Sequence, residues 1–82
     1  MSTYEKILHQ VLRGSSDANI RFTDLLNLLA HMGFEMRTRG SHHIFWKEGV
    51  EEKINLQRDG DKAKPYQVRQ VSAVIIKYGW SE

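Results

Sequence analysis

The chain has 82 residues, 12 of them Lys or Arg and 10 Asp or Glu, for a formal charge of +2, and no cysteine. These counts leave room for one small domain and exclude a disulfide framework, a cysteine-based zinc site and a thiol nucleophile. The longest apolar runs, around Leu25–Ala30, fall far short of the roughly 20 residues that span a bilayer. Glu5, Lys6, His9 and Gln10 likewise interrupt anything like a secretory leader, so a cytoplasmic protein with no membrane partner is expected.

Tyr4, Ile7, Leu8, Val11 and Leu12 recur at the spacing of one helical stripe. Ser2 or Thr3 can cap this first helix, Glu5 suits the positive end of its dipole, and Gly14 ends it. Ser15–Asn19 reads as a loop. Thr23 is the predicted N-cap of a second helix, which carries Leu25, Leu26, Leu29 and Met32 and stops at Gly33. From Phe34 to Arg39 apolar and charged residues alternate, the pattern of a half-buried strand. Gly40-Ser41 supplies a tight turn. His42–Lys47, rich in aromatic and β-branched residues, reads as a second strand. Glu48–Glu51 connects it to a third strand over Lys53–Gln57. Arg58–Lys64 is a polar loop turning at Asp59-Gly60-Asp61. Pro65 suits the first turn of a last helix, with Val68, Val71, Val74, Ile75 and Tyr78 at helical spacing up to Gly79.

The order α-α-β-β-β-α predicts an α+β fold: one antiparallel sheet with helices on one face. Residues 1–82 read as a single domain, with an αβββα core over 22–80 and an added N-terminal helix over 1–14. Charge is uneven along it. Residues 1–36 carry three basic and four acidic groups, whereas residues 37–77 carry nine and five. A basic C-terminal half suits a polyanionic partner, although a solvated lysine-rich surface would look the same.

Adjacent strand residues point to opposite faces. Without a bulge, Phe34 and Met36 share the buried face of the first strand, and Ile54 and Leu56 that of the third. The second strand offers two sets, His42/Ile44/Trp46 and His43/Phe45/Lys47. Ile44 and Trp46 make the better core pair, because the other set ends in a lysine. That assignment places His43 on an open face beside Arg37, Arg39, Lys47, Lys53 and Asn55, with Phe45 exposed among them. Cations there would hold phosphates, the aromatic would stack a base, and the imidazole would exchange protons near neutral pH. One bulge or a one-residue slip would exchange His42 and His43. Neighbouring histidines on a strand point apart, with no cysteine or carboxylate close in sequence, so a metal site is not expected.

Gly40-Ser41-His42-His43, preceded by a helix and a strand and followed by a strand, resembles the HicA (YcfA-like) toxin family over Phe22 to Trp80. The resemblance implies a fold like that of double-stranded RNA-binding domains. It also implies cleavage of messenger RNA without a cofactor and neutralisation by a HicB-type antitoxin in a type II pair. By position it makes His43 the catalytic residue; His42 reads either as a partly buried histidine hydrogen-bonded near the turn or as a second catalytic residue that orients His43 or grips the substrate. The RNA contacts then fall to Arg37, Arg39, Gly40, Ser41, Phe45, Lys47, Lys53, Lys62 and Lys64. In one respect the chain departs from the family. Many members carry Pro-x-His on or after the third strand, where this chain has Ile54-Asn55-Leu56-Gln57-Arg58. Lys62, Lys64 and Tyr66 are the candidates to make phosphate contacts in its place. The competing reading is a non-catalytic RNA- or DNA-binding module using the same basic face.

Overall fold

The computed structural model describes residues 3–13, 20–58 and 60–80. Its elements are α1 (Thr3–Arg13), α2 (Phe22–His31), β1 (Glu35–Arg39), β2 (His42–Trp46), β3 (Ile54–Gln57) and α3 (Pro65–Lys77). The predicted cap at Ser2, the stop at Gly14, the loop Ser15–Asn19 and the turn residue Asp59 lie outside the described residues. The strands form an antiparallel sheet in the order β1-β2-β3. This is the α+β, αβββα arrangement of a double-stranded RNA-binding domain, with α1 in addition, packed on α2 and α3.

Hydrophobic burial explains why the elements assemble as they do. Ile7, Leu8 and Val11 of α1, Leu25, Leu28 and Leu29 of α2, and Val68, Val71, Val74 and Ile75 of α3 meet Phe45, Ile54 and Leu56 of the sheet in one apolar cluster. Pro65 stands in the first turn of α3, where a missing N–H costs nothing. The N-cap of α2 is Arg21 rather than Thr23, which lies one residue inside the helix. The backbone explains the shift. Arg21 pairs with Lys62, and the Phe22 N–H donates to the Asp61 carbonyl at 2.8 Å, which forces the helix to begin at Phe22.

The register corrects the faces expected for the sheet. Phe45 pairs with Met36 and Ile54, and His43 with Thr38 and Leu56. Cross-strand partners share a face, so His43 and Phe45 look toward the helices and His42, Ile44 and Trp46 look away. Phe45 is 1% exposed, whereas Ile44 and Trp46 are only half-buried. Met36 is exposed as well, because the helices cover the β2–β3 side of the sheet and leave all five residues of β1 exposed. Lys47 follows the last residue of β2 and is not bound by its alternation. Its ammonium sits against Gly33, close enough that a Cβ on that glycine (φ +95°) would lie 2.7 Å from Nζ.

Two polar tethers complete the fold. Gln67 on α3 is fully buried. Its Nε2 donates to the Gln57 carbonyl at 3.0 Å, and its Oε1 accepts the Lys64 N–H at 3.3 Å. Glu52, in the β2–β3 connection, accepts from Lys77 Nζ at 2.6 Å and from the Tyr78 hydroxyl at 2.7 Å. These bonds hold the Glu52 carboxyl down at about 2, the Lys77 contact contributing most.

Candidate nucleic-acid interface

The β1–β2 hairpin turns through Gly40-Ser41, with Arg39 opposite His42. Gly40 has φ +60° and Ser41 does not enter the left-handed region, the φ pattern of a type II′ turn. Gly40 thus serves the turn backbone. The Ser41 carbonyl accepts the Arg58 N–H at 2.9 Å, which ties the turn to the residue that leaves β3.

From this turn the two histidines diverge. His42 is exposed on the face away from the helices, with Nδ1 3.3 Å from Asn55 Oδ1. Gln57, Tyr66 and Gln70 join these two residues around a shallow polar depression. His43 is half-buried on the opposite face. Its Nδ1 lies 3.4 Å from Thr38 Oγ1, and its ring centroid is 5.3 Å from that of Phe22, inclined by 60°. Nε2 has no protein partner among the described residues, so this nitrogen is the one left for proton exchange.

Phe22 carries a second polar group. The Arg58 guanidinium lies over the same ring, with Cζ 5.2 Å from the centroid. Phe22 is itself fully buried. Its ring therefore contacts both an imidazole and a guanidinium. Next to it opens a cleft of about 350 Å³ lined by Arg21, Thr23, Arg58, Asp61 and Lys62. Three cations face one carboxylate there, and among the described residues none of the three forms an ion pair.

The expected RNA contacts fall into separate places. Arg37 and Lys53 line a depression with Ile44 and Trp46 on the open face of the sheet. Arg39, paired with His42, belongs to that face too. Lys47 is at the far end of β2 from His43. The structure therefore does not gather these cations around His43. Phe45 cannot stack a base, since its ring fills the core. Lys62 does line the cleft next to the Phe22 ring, whereas Lys64 is the N-cap of α3. Arg21 and Arg58 were not legible as site residues. The available signals were weak: one precedes a helix start, and the other follows a strand end at the level of Ser41.

Among the described residues no group of three or more His, Asp or Glu is placed to hold a metal ion, and no helix is long and apolar enough to cross a membrane. A family model described as HicA toxin of bacterial toxin-antitoxin matches residues 22–80, which takes in the whole αβββα core and every site residue except Arg21. No curated protein and no solved structure matches the chain. With the match spanning well over half its length and the element order agreeing throughout, the chain belongs to the HicA toxin family of bacterial toxin–antitoxin systems.

Proposed function

We propose that the protein acts as an endoribonuclease on messenger RNA, with the His43 imidazole as its general acid or base. The observation that carries this reading is the setting of His43. One ring nitrogen is held by Thr38, the ring rests on Phe22, and Nε2 has no partner among the described residues, while Arg58 of the cationic cleft lies over the same Phe22 ring. A fixed ring with one available nitrogen suits proton transfer, because the group arrives already oriented.

The nucleophile in this scheme belongs to the substrate. The ribose 2′-oxygen attacks the adjacent phosphorus as its proton is withdrawn, and the bond to the 5′-oxygen breaks as that oxygen gains a proton. The products are a 2′,3′-cyclic phosphate and a 5′-hydroxyl. His43 serves as base at the first oxygen or as acid at the second. DNA lacks the 2′-hydroxyl and is not a substrate for this route. The attacking group is internal to RNA, so the step calls for no metal and cleavage should persist in chelator. The partner we assign is an antitoxin of the HicB type, whose acidic groups would cover the cationic surface.

The test is cleavage of a messenger RNA by purified protein in chelator. His43→Ala should stay folded and lose about 10²–10⁴-fold in rate. His42→Ala should lose much less, since His42 faces the other side of the sheet. Retention of RNA with no new ends, or a folded His43→Ala protein cutting at the normal rate, would overturn the reading. The first of those results would instead favour a binding module without catalysis.

A further inference from the structure

We infer that the cleft lined by Arg21, Arg58 and Lys62 is a phosphate subsite, which grips a phosphodiester of the RNA strand neighbouring the one presented to His43. The inference deepens the endoribonuclease reading and rests on it for the identity of the strand.

Three chain segments bring the cations together. Arg21 stands at the N-cap of α2, Arg58 leaves β3, and Lys62 pairs with Arg21 through an isolated antiparallel bridge. Ala63 reinforces that bridge by donating its N–H to the Ile20 carbonyl at 2.8 Å. The cleft is therefore built from fixed backbone rather than from drifting side chains alone. Its one acid, Asp61, forms no ion pair with the cations among the described residues, which leaves three positive groups against one negative in the lining.

The chemistry of the lining favours a phosphate. A guanidinium presents a planar fork of donors that matches two oxygens of a tetrahedral oxyanion, and an ammonium adds a point charge. Arg58 is oriented before any ligand arrives, by the Phe22 ring beneath its guanidinium and by its own N–H bond to Ser41. Thr23 adds a hydroxyl to the lining. Arg21 and Thr23 of the lining stand at the start of α2, so the positive end of that helix lies beside the opening. The position completes the case. Arg58 and His43 both contact the Phe22 ring, which keeps a phosphate held by Arg58 within a short strand's reach of the imidazole.

Binding can be measured without relying on cleavage, using a single-stranded 2′-O-methyl RNA and fluorescence anisotropy across a range of salt. The variants are Arg21→Gln, Arg58→Gln and Lys62→Gln, with Lys6→Gln on α1 as the charge-matched control. Each cleft variant should weaken binding by about 3- to 10-fold and make the salt dependence shallower by about 0.7 for every phosphate no longer neutralised. Lys6→Gln should do neither. Lys62 is an exposed side chain, so its variant reports on the cleft even if removing Arg58 disturbs Phe22. Inorganic phosphate, titrated at constant ionic strength, should compete with the RNA in the wild-type protein and not in Arg58→Gln.

Cleft variants that match Lys6→Gln in affinity and salt slope overturn the subsite. So does phosphate binding that depends on Arg58 while RNA binding does not, because the cleft would then serve a free phosphate. If the variants lose affinity yet the wild-type protein never cuts unmodified RNA, the subsite stands and the nuclease reading falls. If His43→Ala abolishes cleavage while the cleft variants bind and cut normally, the reverse holds.

Discussion

Phe45→Ala tests the register on which the placement of both histidines depends. Phe45 is 1% exposed and lies between Met36 and Ile54 on the helix-facing side of the sheet. Truncating so deeply buried an aromatic removes its transfer energy and leaves a cavity, at a cost of about 3–5 kcal/mol. A chain of this size has roughly 4–12 kcal/mol of stability in all. At about 4–8 °C per kcal/mol, the thermal midpoint should fall by roughly 12 °C or more. Trp46 is larger but only half-buried on the other face, and Ile44 shares that setting. Trp46→Ala and Ile44→Ala should each cost about 2 kcal/mol or less. Urea titration followed by circular dichroism ranks the three variants. If Ile44→Ala and Trp46→Ala prove the damaging pair and Phe45→Ala is benign, then His42 rather than His43 shares a face with the core. The site built on Phe22 would fall with that result.

Glu52→Gln removes the acceptor shared by Lys77 and Tyr78. The Glu52 carboxyl is depressed to about 2 from an ordinary 4.5, so its contribution to stability is fully present above 4.5 and fades as pH falls toward 2. Thermal midpoints of wild type and Glu52→Gln should differ slightly at neutral pH, because the pair is solvent-exposed, and converge near pH 2. Gln67→Leu leaves the Gln57 carbonyl and the Lys64 N–H without their buried partner and should cost about 1–3 kcal/mol in urea titration. Gly40→Ala puts a Cβ on a residue at φ +60° with no neighbouring atom to clash. Its cost should therefore be backbone strain alone, about 1–2 kcal/mol, and Gly40→Asn should cost less.

Much of the architecture could be read from hydrophobic spacing, because each element carries enough apolar residues to declare its period. The three helices and the inward pair Ile54 and Leu56 sit where that spacing places them, and the turn at Gly40-Ser41 and Pro65 in the first turn of α3 sit where their backbone chemistry does. The face of β2 could not be read in this way. Lys47 argued against the set containing His43 and Phe45, yet the strand ends one residue before it. Its ammonium then turns onto Gly33, where alternation has no say. Met36 misled for a different reason. Alternation marks its face correctly, but the helices cover that face over β2 and β3 and not over β1. The cap at Thr23 was displaced by pairing between Arg21 and Lys62, a contact between distant parts of the chain that no local signal announces. The cleft next to Phe22 was illegible for the same reason, since its cations meet only once the chain has folded.

Phe22 has two tasks, since one side chain lies at once in the apolar interior and against both polar groups of the proposed site. A bacterium escaping such a poison has two routes, a protein that cannot persist or one that persists without harm, and changes at this codon open both together. Survivors selected during unchecked expression would accumulate there, and sorting them would require soluble yield to be scored beside lethality.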